Sequence, residues 1–297
     1  MLDRIVAVVV TYNKPELLQN CLNSIYQQSH PCVDVVLIDN GGFQDTQKVV
    51  SRFNNKGFKI HHHIMNENLG GAGGFYQGIK DSFKYAPDFV WILDDDTIPE
   101  NTALEQLIEA KNSLNDMGVN EVGLLASNVL WKDNSKAIMN VPKFSTDDKK
   151  VNGLLPIISS SFVSMLVSSD AIKSLGLPIK EFFIWGDDAE FSRRISTRYS
   201  AYWVQKSKVI HMMATNSGPN IITEKDTDRL DRYFYEFRNR IYILRKYENN
   251  YMVLKKVLKN MSIAVVALFQ KDGVKRFKIV LNGTVSGFSF NPKVVKL

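Results

Sequence analysis

The chain has 297 residues, 44% of them hydrophobic and 23% charged, with a formal net charge of +6. That is enough apolar material for a full core in one large or two small domains. Two cysteines, Cys21 and Cys32, exclude a disulfide framework or a zinc site and point to a reducing compartment, while the lack of any apolar run of about 18 residues excludes a membrane-spanning helix.

The apolar run Ile5–Val10 near the amino terminus is short and turns polar at once, so it reads as a buried strand and not as a signal peptide. Further strands are predicted at Val33–Asp39, Lys59–Ile64 and Phe89–Leu93. Helical patterns lie between them at Pro15–Gln27, Gln44–Phe53 and Ala72–Lys84. Such alternation predicts an α/β fold with parallel strands and helices on both faces, so the strand ends at Thr11-Tyr12-Asn13, Asp39-Asn40 and Asp94–Asp96 converge on one rim. Between the third strand and its helix, the segment NENLGGAGGFYQG places Gly70, Gly71, Gly73 and Gly74 close together after Asn68. Glycines of this density suit a backbone that turns tightly or approaches an anionic ligand, although the spacing is not that of a dinucleotide fingerprint.

The stretch WILDDDTIP is the most informative. An apolar strand ending in Asp94, Asp95 and Asp96 sets three like charges side by side, which calls for a hard divalent cation unless the turn is simply solvated. Residues 121–169 read as strand-rich, with a polar insertion at Ser145–Asn152. A second acidic group follows in FFIWGDDAEFSRR, where Asp187 and Asp188 sit at a helix start and Glu190 lies one turn on. Asp187 suits a helix cap or catalysis; Asp188 is the candidate general base. Short strands at Ala201–Val204 and Lys208–Ile210 lead to His211. The triplet His61-His62-His63 points alternately to opposite strand faces and is read as bland.

Charge is uneven along the chain. From Arg229 onward there are 15 Lys and Arg against 4 Asp and Glu, whereas residues 1–228 hold 22 against 27. Aromatic and apolar positions recur at helical spacing from Tyr233 to Leu244. Tyr251–Phe269 and the basic Lys271–Lys278 segment then suit an interfacial helix on anionic lipid. A nucleic-acid module is disfavoured by the acidic body and by apolar runs between the basic residues. A nucleotidyltransferase shares the sheet and the metal carboxylates but leaves the second acidic pair without a use.

Together TYN, DN, NxGGAGG, the strand-borne DDD, WGDDxEF and the late histidine resemble family 2 glycosyltransferases of the GT-A fold, and among them bacterial galactofuranosyltransferases and rhamnosyltransferases. The resemblance spans about residues 4–245. It implies a Rossmann-like mixed sheet flanked by helices: a catalytic domain over 1–225, with a nucleotide-binding half to about 98 and an acceptor half over 99–225, then a helical basic region over 226–297. It further implies that Thr11, Tyr12 and Asn13 line the nucleotide pocket, that Asp39 holds the base, and that Asn68 and the glycines pass near the sugar diphosphate. By the same resemblance Asp94 and Asp96 bind Mn²⁺ or Mg²⁺ with His211, Asp95 lies at the donor, Trp185, Gly186 and Glu190 line the sugar and acceptor pocket, and Asp188, beside Asp187, is the base of an inverting displacement. Relatives often carry an Arg before NxGGAGG. Here His61–Met65 leaves that basic contact unassigned. The implied partners are a UDP- or dTDP-sugar, galactofuranose before rhamnose, and a glycan or lipid-linked acceptor. A peripheral position on the inner, anionic face of the cell membrane and a homo-oligomer complete the expectation, with no nucleic acid.

Overall fold

The computed structural model describes residues 3–32, 34–53, 59–146, 151 and 153–297. Val33, where the second predicted strand begins, and most of the Ser145–Asn152 insertion lie outside the described residues. The chain divides into two compact units, one of residues 1–180, 188–216 and 294–297, the other of residues 181–187 and 217–293.

The first unit opens with the expected alternation: β1 (Ile5–Thr11), α1 (Pro15–Tyr26), β2 (Asp34–Asp39), α2 (Gln44–Ser51), β3 (Lys59–Ile64), α3 (Gly70–Ser82) and β4 (Phe89–Asp94). Pro15 starts α1, where its missing N–H costs nothing, and Leu18, Leu22 and Ile25 form the buried stripe that binds it to the sheet. There follow β5 (Thr97–Pro99), α4 (Ala103–Asp116), β6 (Val122–Trp131), β7 (Lys143–Phe144), β8 (Leu155–Ser159), β9 (Ser164–Ser168), α5 (Ser169–Leu175), α6 (Asp187–Ser196) and β10 (Ser200–His211).

The strands form one mixed sheet in the order β3-β2-β1-β4-β9-β6-β10-β8-β7, with β5 paired to β10. β1 runs parallel to β2 and β4, whereas β9 is antiparallel to both β4 and β6. A strand buried on both faces reads as a continuous apolar run, and β1 is buried at every position. Alternate residues serve two cores. Ile5, Ala7, Val9, Leu37, Trp91 and Leu93 pack with α1 and α4 on one face; Val6, Val8, Val10, Ile38 and Ile92 pack with Phe75 and Ile79 of α3 and Phe191 and Ile195 of α6 on the other.

Two differences from the sequence reading have identifiable causes. The glycine segment is the first turn of α3 and not a loop before it. Gly74 and Gly78 face the sheet so closely that a Cβ would stand 2.5 Å from Val10 Cγ1 and 2.5 Å from Val8 Cγ1, so close packing overrides glycine's poor helix propensity. The two short strands before His211 are one strand, β10, whose register against β6 shifts between Val204 and Lys208, at the polar break Gln205–Ser207.

The second unit is helical: α7 (Tyr233–Tyr247), α8 (Asn250–Ala267) and α9 (Gly273–Ser289). Its core holds Ile221, Leu230, Tyr233, Phe237, Ala264, Ile279 and Val280. The Asn249 side chain caps α8 by accepting from the Met252 amide at 3.0 Å. Among the described residues, no helix is long and apolar enough to cross a membrane.

Candidate active site

The site is assembled at the carboxyl ends of β1, β2 and β4. Parallel register sets Thr11 beside Asp39 and Val10 beside Asp94, so the polar residues that end these strands share an edge. Immediately after the three aspartates, β5 pairs antiparallel with β10 and brings His211 opposite Thr97. A histidine more than a hundred residues away thereby reaches the acidic turn.

The three consecutive aspartates have three different surroundings. Asp95 is buried and accepts hydrogen bonds from Thr11 Oγ1 at 2.8 Å and from Lys14 Nζ at 3.3 Å. Asp96 takes Lys14 Nζ at 2.8 Å on one oxygen and faces His211 Nε2 at 3.0 Å on the other. Asp94, Asp96 and His211 each offer a ligand atom, and these atoms lie within 4.8 Å of one another. Burial, and then the negative charge of Asp96, pushes the Asp94 carboxyl well above its usual range. Burial acts in the same direction on Asp96, but the His211 hydrogen bond and the charges of His211 and Lys14 outweigh it and hold that carboxyl low. The Lys14 ammonium is stabilised in turn: burial disfavours it, and the Asp95 and Asp96 charges more than compensate.

The donor set fits a divalent cation. His211 Nδ1 lies 2.9 Å from Asn140 Oδ1, an acceptor that calls for a proton on that nitrogen and turns Nε2 inward. Nε2 stands 3.0 Å from Asp96 Oδ1, a pair that needs a proton or a cation between them. The two carboxylates match the oxygen preference of Mn²⁺ and Mg²⁺, and the imidazole nitrogen suits a transition ion better than Mg²⁺.

Around this centre the predicted residues take definite places. Asn13 has φ +52°, a left-handed conformation that Asn tolerates, at the turn that returns Lys14 to the aspartates. Tyr12, partly exposed, meets Phe43 edge-to-face at 5.3 Å. Asp39 accepts from the Gly42 amide at 3.0 Å through Oδ1, while its buried Oδ2 has no hydrogen-bond partner among the described residues. His62 Nε2 stands within ion-pair distance, 3.5 Å from that oxygen, and likewise has no hydrogen-bond partner among the described residues. Asn68 Oδ1 accepts from the Gly70 amide at 2.8 Å, and Asn40 Nδ2 donates to the Gly70 carbonyl at 2.8 Å, which fixes the start of α3. Gly71 has open space where a side chain would be, whereas Gly73 and Gly74 are close-packed against Leu69 and Val10.

The second acidic segment is distributed differently. Asp188 belongs to the first unit and accepts from the Ala189 amide at 2.6 Å. Glu190 is buried, with both oxygens 3.2 Å from Arg194 Nε; the same guanidinium donates to the carbonyls of Leu175, Gly176 and Leu177. Trp185, Gly186 and Asp187 belong to the second unit. There Trp185 has φ +63° and Gly186 φ +89°, and Asn239 Nδ2 donates to the carbonyls of Phe182, Ile184 and Trp185 at 3.0, 3.1 and 2.8 Å. The Trp185 ring packs on Tyr233 at 5.1 Å.

Lys14, Asn140 and Asn239 were not singled out from the sequence, whereas Asn40 was read with Asp39 as part of the rim. Lys14 had a usable signal, since it directly follows the polar strand end Thr11–Asn13. Asn140 and Asn239 act on His211 and Trp185, 71 and 54 residues away, and carry no local pattern.

Comparison with known proteins follows the same outline. The chain is 26% identical over 258 residues to galactofuranosyltransferase GlfT1 of Mycolicibacterium smegmatis, covering 80% of this chain and 82% of that protein. GlfT1 of Mycobacterium tuberculosis is 25% identical over 207 residues, 66% of this chain and 65% of that one. Among solved structures, the mannosyltransferase PcManGT from Pyrobaculum calidifontis in complex with GDP-Man and Mn²⁺ superposes with a TM-score of 0.57 at 13% identity, covering 98% of this chain and 76% of that chain. S. aureus TarS 1-349 in complex with UDP gives 0.56 at 14%, covering 97% and 72%. At those identities the likeness speaks for the fold, which is GT-A. The family model described as Glycosyl transferase family 2 matches residues 6–171, more than half of the chain, and the chain belongs to that family.

Proposed function

We propose that this protein transfers a sugar from a nucleoside diphosphate donor to a glycan or lipid-linked acceptor, inverting the anomeric centre. The observation that carries the reading is the convergence of Asp94, Asp96 and His211 at one strand-end rim, their ligand atoms within 4.8 Å. Asp94, Asp96 and His211 would hold Mn²⁺ or Mg²⁺ there. Bound at that place, the cation supplies charge neutralisation for the departing diphosphate.

The chain's own residues do the rest. Asp39, whose Oδ2 is buried without a hydrogen-bond partner among the described residues, accepts from the nucleobase. Asn40 and Asn68 hold the Gly70 backbone beside the sugar diphosphate. Thr11 orients Asp95 towards the donor, and Lys14 supplies the basic contact that the sequence left unassigned. Asn140 keeps the His211 proton on Nδ1. Asp188 takes the proton from the acceptor hydroxyl as it attacks, and one displacement at the anomeric carbon inverts it. Asn239 holds the carbonyls of Ile184 and Trp185 and so fixes the backbone that carries Trp185 and Gly186. Glu190, engaged by Arg194, acts as an anchor of α6 more than as a ligand.

The donor we favour is UDP-galactofuranose, supported by the 26% identity to galactofuranosyltransferase GlfT1, before dTDP-rhamnose. The enzyme works from a peripheral position at the inner face of the cell membrane, where lipid-linked acceptors are presented. A panel of nucleotide sugars with Mn²⁺, read by release of the nucleoside diphosphate, tests the reading. UDP release with UDP-galactofuranose is expected; release of pyrophosphate would overturn it in favour of nucleotidyl transfer.

A further inference from the structure

The α8–α9 hairpin of the second unit carries apolar side chains on the outside. Exposed positions recur along α8 at Tyr251, Leu254, Leu258 and Val265, and along α9 at Val274, Val285 and Phe288, the spacing of one helix face in each. The opposite faces pack the hairpin. Val253 and Ala264 of α8 and Ile279 and Val280 of α9 are buried, and Asn260 Nδ2 donates to Thr284 Oγ1 at 2.9 Å. The outer stripes are therefore not needed to hold these helices together.

Exposure is greatest at the turn. Phe269 is 84% exposed, Val274 62% and Leu268 42%, and the three are separated by only a few residues. Leaving a Phe side chain in water forgoes the stabilisation that burial would bring, and a cluster of such residues marks a surface that meets something apolar. The surrounding charge is of one sign. From Asn250 to Ser289 there are seven Lys and Arg and a single acid, Asp272. Lys271, Lys275 and Lys278 flank the apolar tip, and Lys275 also reaches Asp231 at 3.1 Å.

Charge complementarity selects the occupant. In a two-fold dimer formed through this patch the same surface would meet itself, lysine against lysine. A bilayer with anionic headgroups offers phosphates to the lysines and an apolar layer just beneath to Phe269, and a lysine-edged amphipathic helix that does not span is the usual shape of such a contact. We propose that the turn end of the α8–α9 hairpin docks on the surface of an anionic lipid bilayer, with Leu268, Phe269 and Val274 entering the interfacial layer and Lys271 and Lys278 meeting lipid phosphates. This rests on the peripheral position proposed above and names the surface responsible for it.

The test uses the full chain and vesicles of phosphatidylcholine alone or with about 30% phosphatidylglycerol, separated by flotation. Nucleotide sugar is absent, so the outcome is independent of whether transfer occurs. The protein should float with anionic vesicles at low salt and be released at about 1 M salt, where the Debye length is about 3 Å. Phe269→Ser should lower partition about tenfold, and Lys271→Glu or Lys278→Glu at least about fivefold each. These side chains are exposed or at the surface, and circular dichroism verifies that each variant folds. Phe269→Trp gives a positive readout: its added fluorescence should shift to the blue on binding and be quenched by brominated lipid. No binding to anionic vesicles, unchanged partition of Phe269→Ser, or an added indole in Phe269→Trp that brominated lipid leaves unquenched would overturn the proposal. A concentration-dependent dimer in light scattering that Phe269→Ser dissolves would overturn it in favour of self-association.

Discussion

The two acidic segments, Asp94–Asp96 and Asp187–Glu190, share a composition and differ in architecture. The first hangs from the end of β4 and is followed at once by β5, so its carboxylates fan out at one rim: Asp95 towards Thr11 and Lys14, Asp96 towards Lys14 and His211, Asp94 beside Asp96. The second enters a helix, where successive side chains diverge by about 100°. Asp187 falls in the second unit, Asp188 begins the part of α6 in the first, and Glu190 turns inward to Arg194. A strand end gathers neighbouring acids into one site. A helix start sends them in separate directions.

That contrast can be broken by substitution. Asp96→Ala should remove a metal ligand and leave Lys14 without its closest partner; transfer is expected to fall at least about 10³-fold, the span seen when charge stabilisation is removed from a reacting centre. Initial rates of UDP release measure it. Asp188→Asn should lower transfer by about 10²–10⁴-fold while UDP binding is kept, as loss of a general base requires. Near-normal transfer in that variant would move the role to Asp187. The two variants differ in kind, because only the first should alter nucleotide binding.

Glu190→Ala should act on stability. Removing it leaves the buried Arg194 charge uncompensated, at a cost of about 3 kcal/mol by urea unfolding, with residual folded protein still binding UDP. If Glu190→Ala folds normally and loses only acceptor affinity, the residue lines the acceptor pocket instead. Asn140→Ala should be milder. His211 would lose the group that orients its ring, and Mn²⁺ affinity should weaken about 10–100-fold, read by calorimetry.

Much of the first segment's placement was legible because its signals are local. The buried run of β1, the abrupt end of β4 in three aspartates and the polar strand ends of β1 and β2 are adjacent in sequence, and parallel pairing aligns them by rule. His211 by itself read as a histidine closing a strand, and only the family resemblance set it beside Asp94 and Asp96. The three-residue β5 that brings His211 to the aspartates is too short to show a period, and the antiparallel β9, set between β4 and β6, has no mark in the alternation that precedes it. Glycines 70–74 pointed to a loop because propensity speaks locally, whereas the Val10 and Val8 side chains that require Gly74 and Gly78 lie on β1, some 60 or more residues earlier. Asn140 and Asn239 are ordinary in sequence. Their tasks exist only after the chain has folded.

The most direct test is a calorimetric titration of UDP into the wild-type protein and into Asp96→Ala, each in excess chelator and with Mn²⁺. A cation held by Asp94, Asp96 and His211 and shared with the diphosphate should make Mn²⁺ tighten UDP at least about tenfold in the wild type and leave the variant unchanged. Equal UDP affinity with and without Mn²⁺ in the wild-type protein would contradict the account.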